Sequence, residues 1–306
     1  MILCCGEALI DMLPRTSQEG EQAFAPYAGG AVFNTAIALG RLSAAPGFFC
    51  GLSTDLFGEM LDRKLVEAGV SSDLAFRSSH PTTLAFVRLN DGHATYTFYD
   101  ENSALQVMTT DDLPSLPDTV SALFFGGISL AGEPCGTAYE ALMTREASAR
   151  VTMIDPNIRP SFITDRDTYV TRIKSMMSMA DVVKLSDEDL HWLEGEGDLE
   201  RLAQDIIARG TKVVLITQGA DGSIGYTAQH RVHVPARTVE VVDTVGAGDT
   251  FNAGFLAGLQ RAEALRKSTL GTLPADVLRD ALVMGSTCAA ITVSRAGANP
   301  PWAHEV

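Results

Sequence analysis

The sequence predicts an α/β protein with a mostly parallel central sheet flanked by helices. Short, nearly continuous apolar runs recur at residues 2–5, 48–51, 123–125, 151–154, 182–185 and 213–217. That is the pattern of strands buried on both faces. Amphipathic stretches lie between them. Leu199, Leu202, Ala203, Ile206 and Ile207 keep helical spacing ahead of Gly210, as do Leu61, Leu65 and Ala68 ahead of Gly69. Strand and helix patterns thus alternate, which puts helices over a parallel sheet and ligands beyond the carboxyl ends of its strands.

One segment departs from this alternation. Residues 85–89, the turn Asn90-Asp91-Gly92, and residues 94–99 read as a β-hairpin whose second half alternates hydroxyl and aromatic side chains. A hairpin inserted in an α/β domain is a candidate lid; an edge hairpin without function has the same pattern.

The 306 residues admit one large domain or two smaller ones, and a composition 46% hydrophobic and 20% charged supplies a substantial core. A net charge of −15 argues against a general binder of nucleic acid or anionic membrane, since both need a basic surface. The cysteines Cys4, Cys5, Cys50, Cys135 and Cys288 form neither a metal-binding spacing nor a disulfide framework, and they fit reduced thiols in a cytoplasmic protein. No basic region precedes the first apolar run, so no signal peptide is expected, and no run approaches the roughly 18 apolar residues of a membrane span.

The sharpest motif is Asp243-Thr244-Val245-Gly246-Ala247-Gly248-Asp249-Thr250-Phe251. It is expected to follow a strand over residues 238–242 and to open an apolar helix over 251–259. Small residues at Gly246, Ala247 and Gly248 let the backbone approach a ligand closely, and N–H groups at a helix N-terminus favour negative charge. The stretch reads as a cradle for a phosphoryl group. Asp249 at its mouth is the candidate base that accepts a proton from an attacking hydroxyl. An aspartate after a glycine turn also serves as a helix cap. The sequence lacks both a G-x-x-x-x-G-K-[ST] loop and a G-x-G-x-x-G after the first strand.

The motif resembles the signature of the ribokinase-like (PfkB-type) carbohydrate kinases. That family's amino-terminal signature is matched by Gly29-Gly30-Ala31-Val32-Phe33-Asn34-Thr35-Ala36 followed by Ala38-Leu39-Gly40. Both motifs stand in the family's order, and the likeness covers essentially the whole chain. It implies one domain over residues 1–306, with a small β-sheet lid from segments of about 12–27 and 83–102. It also implies ATP with Mg²⁺ as donor and a sugar or related alcohol as acceptor. By this resemblance Asp249 is the base and Gly246, Ala247 and Gly248 form the anion hole. Gly29, Gly30 and Asn34 approach the sugar, and Asp11 grips its hydroxyls. An asparagine can donate and accept toward hydroxyls, which agrees. Thr217, Gly219 and Gly222 match the family's nucleotide turn, with Lys184 near the phosphates and Ser286 in the adenine-lining segment. Ser186 and Asp189 replace the usual Asn and Glu of the motif that orders the metal, which leaves Asp189 to hold Mg²⁺ through water. Asp243 and the backbone near Val245 and Gly297 resemble a potassium site. Pairing of two chains through the lid is a further implication.

Gly6-Glu7-Ala8-Leu9-Ile10-Asp11 and the 96–104 stretch resemble bacterial fructokinases, while Asp155-Pro156-Asn157-Ile158-Arg159-Pro160 is shared by these and the 2-keto-3-deoxygluconate kinases. Arg159 is expected to reach substrate or phosphate, and Phe98 or Tyr96 to cover the sugar. Where the keto-deoxygluconate kinases tend to carry arginine, this chain has Asp100, which would repel a carboxylate. Fructose, converted to its 6-phosphate, is therefore the expected acceptor. A kinase for 2-keto-3-deoxygluconate, ribose or a nucleoside is the alternative of the same class. A non-catalytic sugar or nucleotide sensor is the alternative of a different class.

Overall fold

The computed structural model describes residues 1–90 and 93–306; Asp91 and Gly92 of the expected turn lie outside the described residues. The first third of the chain runs β1 (Ile2–Cys5), β2 (Leu9–Thr16), β3 (Gln22–Gly29), α1 (Ala31–Arg41), β4 (Gly47–Phe49), β5 (Gly51–Ser53), α2 (Leu56–Glu67), β6 (Phe76–Ser78), β7 (Leu84–Asn90) and β8 (His93–Tyr99). Then follow β9 (Ala122–Gly126), α3 (Cys135–Glu146), β10 (Val151–Asp155), α4 (Arg166–Met179), β11 (Val182–Ser186), α5 (Asp187–Glu194), α6 (Leu199–Ala208) and β12 (Val213–Thr217). The chain closes with β13 (Ser223–Tyr226), β14 (Arg231–Val234), α7 (Ala247–Arg261), α8 (Lys267–Leu270) and α9 (Ala275–Val293).

The large sheet has the order β14-β13-β12-β11-β10-β9-β1-β4. It is parallel from β12 to β4, and β13 and β14 add an antiparallel edge. Successive side chains along a strand point to opposite faces, and both faces here are core. Ile2 and Cys4 with Phe48 and Phe124 pack under Phe33, Leu39 and Phe255 of α1 and α7. Leu3 and Cys5 with Phe49 and Phe125 pack under Tyr139, Ile173 and Leu190 of α3, α4 and α5. This two-sided burial is why the strands read as unbroken apolar runs.

A second sheet has the order β3-β2-β7-β8. Register pairs Asp11 with Tyr27 and Ala85, and Ala85 with Phe98, so these residues share one face. On the opposite face Phe86 lies edge-on to both Phe24 and Tyr99. At the base of that face Ile10 joins the large core, with Met12, Ala28 and Leu84 packed against it. The small sheet thus grows directly out of the large one.

Two expectations are corrected. Residues 48–51 are not one strand: the chain leaves the large sheet at Cys50, and β5 pairs instead with β6. There Gly51 lies against the Ala104 carbonyl, where a Cβ would come within 1.8 Å. Residues 238–242 form no strand either. Pro235 follows β14 and cannot donate to a ladder. The valine-rich run beyond it is exposed, and the Val242 and Asp243 N–H groups bond singly to the Val293 carbonyl. Among the described residues no helix is long and apolar enough to cross a membrane.

Candidate active site

The turn into α7 is the centre of the site. Gly246 holds φ 79°, a left-handed value natural to glycine. The helix starts at Ala247, so Asp249 sits in its first turn. Thr250 seals the turn by donating its N–H and hydroxyl to the Gly246 carbonyl at 2.9 and 2.7 Å. Asp249 is only 8% exposed. α1 packs across it: Asn34 Nδ2 donates to Asp249 Oδ2 at 2.9 Å, and Thr35 Oγ1 donates to the Asp249 carbonyl at 3.1 Å. Burial pushes the Asp249 carboxyl up to about 7; the Asn34 amide works against this, Asp155 adds to it, Lys184 opposes it and Glu7 adds to it.

Lys184 faces this turn from β11. Its Nζ would lie 3.2 Å from a Cβ on Gly248, so the ammonium stands beside the helix start. Lys184 is buried and bonds Asp155 Oδ2 at 2.9 Å from the neighbouring β10. Asn252 Nδ2 donates to the same oxygen at 2.7 Å. Burial alone would depress the ammonium, but Asp155, Asp189 and Asp249 outweigh it, so Lys184 is held above its ordinary value. Asp189, in the first turn of α5 after the Ser186 cap, is itself raised by burial and by Asp155. A cation and a helix N-terminus, both positive, therefore meet within a ring of buried carboxylates. Such a place suits an anion that arrives with its own counter-ion.

The small sheet forms the opposite wall. Asp11 is half-buried and, among the described residues, accepts no hydrogen bond; burial raises its carboxyl to about 6. Gly29 abuts it, since a Cβ there would lie 2.3 Å from Asp11 Oδ2. Burial raises the Tyr96 hydroxyl, Asp11 adds to this and Arg159 opposes it. Phe98 stacks on Tyr96 and meets Phe162 edge-on at 4.1 Å between ring centroids. The small sheet thus touches the turn just after Arg159. Arg159 is exposed, and its guanidinium donates only to the Ile158 carbonyl among the described residues.

Thr217 ends β12, and the turn beyond it carries Gly219 at φ 52° and Gly222 at φ 98°. Ser223 next to it meets Ser286 of α9 at 3.3 Å between hydroxyls, both buried. Asp243 ties two loops together: Oδ1 accepts the Val245 N–H at 3.0 Å and Oδ2 the Gly297 N–H at 2.9 Å. Among the described residues no three His, Cys, Asp or Glu side chains converge on a metal-sized space.

A model of the pfkB family of carbohydrate kinases matches residues 1–305. The chain belongs to this family. A fructokinase of Rhizobium leguminosarum bv. trifolii is 52% identical over 280 residues, covering 92% of this chain and 86% of that one. Fructokinase-1 of Zea mays is 33% identical over 312 residues, covering 98% and 94%. Among solved structures, a fructokinase of Xylella fastidiosa with bound ATP superposes with a TM-score of 0.88 at 30% identity, over 97% of this chain and 93% of that one. A variant fructokinase of Vibrio cholerae O395 holding fructose, ADP and a potassium ion gives 0.83 at 26% identity, with the same coverage.

In this carbohydrate kinase the structure brings Asp249, Asn34, Gly248, Lys184 and Asp189 to one place, and Asp11, Gly29, Phe98 and Arg159 to another beside it. Sequence reasoning assigned nothing to Asp155, Asn252, Thr35 or Glu7. A lysine inside the apolar strand 182–186 needs a buried partner, and that was the available signal for Asp155. Nothing local marked Asn252.

Proposed function

We propose that this chain is a fructokinase that transfers the γ-phosphoryl group of ATP to the 6-hydroxyl of fructose. The observation that carries this is the buried Asp249 carboxylate, raised to about 7, beside the 246–248 turn and Lys184. A base near neutrality can take the hydroxyl proton in the transition state and remain a usable acceptor. The names of the relatives support the choice of sugar.

Asp249 removes the acceptor proton as the new O–P bond forms. The Gly246, Ala247 and Gly248 backbone, together with Lys184, stabilises charge on the transferring group. Mg²⁺ would enter as part of the ATP substrate, and Asp189 is the residue that would hold it through water. Thr217, Gly219 and Gly222 line the nucleotide with Ser286. Asp11 accepts from neighbouring sugar hydroxyls, for which its unbonded carboxylate is suited. Gly29 and Gly30 give close backbone approach, and Arg159 reaches the substrate at the cleft mouth. Phe98 covers the sugar, and the small sheet acts as the lid that excludes water. Asp243, whose oxygens take the Val245 and Gly297 N–H groups, would lie beside a potassium ion that steadies the loop before Gly246.

Asp100 supports a neutral acceptor. It follows β8 directly, and Gln106 Nε2 donates to its carboxylate at 3.0 Å. Two chains pair through the outer face of the small sheet, where Phe24 is 48% and Tyr99 63% exposed. Tyr99→Glu is expected to give monomers in sedimentation. The enzyme works in the cytoplasm.

The deciding experiment is ADP release from the purified protein with Mg²⁺ and ATP, with fructose, 2-keto-3-deoxygluconate, ribose, glucose and adenosine added separately. Turnover on fructose far above the rest is expected. Turnover on a different acceptor removes the fructose assignment and keeps the kinase.

A further inference from the structure

Helix α1 begins without a capping side chain. Its cap position is Gly30, at φ 111°, and no side-chain bond is made there. The first N–H groups of a helix need acceptors, and here Glu7, from the β1–β2 connection, supplies them. Glu7 Oε1 accepts the Ala31 N–H at 2.8 Å, and the Glu7 carbonyl accepts the Phe33 N–H at 3.2 Å. Glu7 Oε2 accepts the Ser129 N–H at 3.3 Å. The side chain is 1% exposed, so it reaches these groups from inside the protein.

The packing around it is built for a carboxylate. Gly127 holds φ 72°, and a Cβ there would come within 2.1 Å of Glu7 Oε1. A Cβ on Gly30 would come within 2.9 Å of the Glu7 carbonyl. A side chain at either position would displace Glu7. The segment so fixed is the one that matters for the acceptor. Gly29 and Gly30 enter it, and Asn34 lies one turn beyond Ala31, with its amide on Asp249.

We propose that Glu7 is a positioning residue of the acceptor side: it replaces the missing cap of α1 and so sets the Gly29–Gly30 turn and Asn34 against Asp249. The proposal rests on the kinase reading above. At 1% exposure Glu7 is set to act through α1 and not on a substrate. It leaves the Gly29–Gly30 turn free of any capping side chain where the sugar is to lie.

The test is steady-state kinetics of Glu7→Gln and Glu7→Ala, with fructose and ATP varied separately. Glu7→Gln keeps one acceptor for the Ala31 N–H but turns an amide NH₂ toward the Ser129 N–H. It is expected to raise KM for fructose roughly tenfold and lower kcat several-fold, with KM for ATP within about twofold. Glu7→Ala is expected to widen the same split. KM values for fructose and ATP that rise together would show general loosening and overturn the proposal. So would a fructose KM that stays at the parent value in a folded variant. If Glu7→Ala does not fold, the Gln variant alone decides. Parent turnover on fructose is a separate control: its absence counts against the acceptor reading, and the split is then read on whichever sugar the parent phosphorylates.

Discussion

Asn34 Nδ2 and Asp249 Oδ2 lie 2.9 Å apart and join the first helix of the chain to the seventh across 215 residues. The bond stabilises the charged carboxylate, so it pulls down a group that burial has pushed up. Asn34→Ala is therefore expected to move the acidic limb of the kcat/KM profile to higher pH. The loss of activity at pH 7 should be larger than at pH 9. A pH–rate profile that keeps its limb in place would mean that Asn34 does not govern the base.

Asp249→Asn is expected to lower kcat by about 10²–10⁴, the usual worth of a positioned general base, while calorimetry shows fructose and ATP bound within several-fold of the parent. The same variant reports on stability. A carboxyl whose folded value, about 7, exceeds the ordinary 3.8 binds its proton more tightly when folded. Its contribution is therefore complete at low pH and is lost as pH rises from the ordinary range through about 7. The Tm of Asp249→Asn relative to the parent should rise between about pH 4 and pH 7 and level off above that. A constant difference would show that the carboxyl titrates normally.

Lys184→Met should abolish turnover and also destabilise the protein, because Asp155 would then be buried beside Asn252 without its cation. Breaking a buried pair from one side costs about 3–5 kcal/mol. The double variant Lys184→Met with Asp155→Asn should regain much of the stability in denaturant unfolding and none of the activity. Recovery of activity in the double variant would exclude Lys184 from phosphoryl transfer.

The parts of the molecule legible from sequence are those where local pattern and tertiary burial agree. Ile2–Cys5 and Val213–Thr217 are apolar on both faces, and both are strands of the large sheet. Residues 238–242 are rich in valine but carry Glu240, and after Pro235 takes the chain off the sheet edge no neighbour is left to pair with them. Asp249 was legible because its turn is contiguous. Glu7 and Asp155 were not, because their partners lie far off: Ala31 and Ser129 for one, Lys184 and Asn252 for the other. A buried carboxylate declares itself only through the donors that surround it, and the fold brings those together.

Phe98 meets Phe162 across the cleft, the one on the small sheet and the other on the turn after Arg159. Phe98→Ala should loosen that closure. ATP hydrolysis without sugar is expected to rise several-fold while kcat on fructose falls. Unchanged coupling of ADP to sugar phosphate would remove Phe98 from the lid.

Asp100 gives the most direct test of acceptor choice. It lies just past the end of β8, where the bond from Gln106 restrains the carboxylate. An acidic acceptor would bring a second negative charge to the same wall. Asp100→Arg reverses the sign there, and a charge-assisted hydrogen bond contributes about 1.5–3 kcal/mol. The ratio of kcat/KM for 2-keto-3-deoxygluconate over fructose should therefore rise by roughly 10- to 100-fold. Asp100→Asn, which removes repulsion without adding attraction, should give a smaller rise in the same direction. If Arg and Asn leave the ratio where it was in folded protein, the wall near Asp100 does not meet the acceptor, and selection against acidic sugars lies with Asp11 and the Gly29–Gly30 turn.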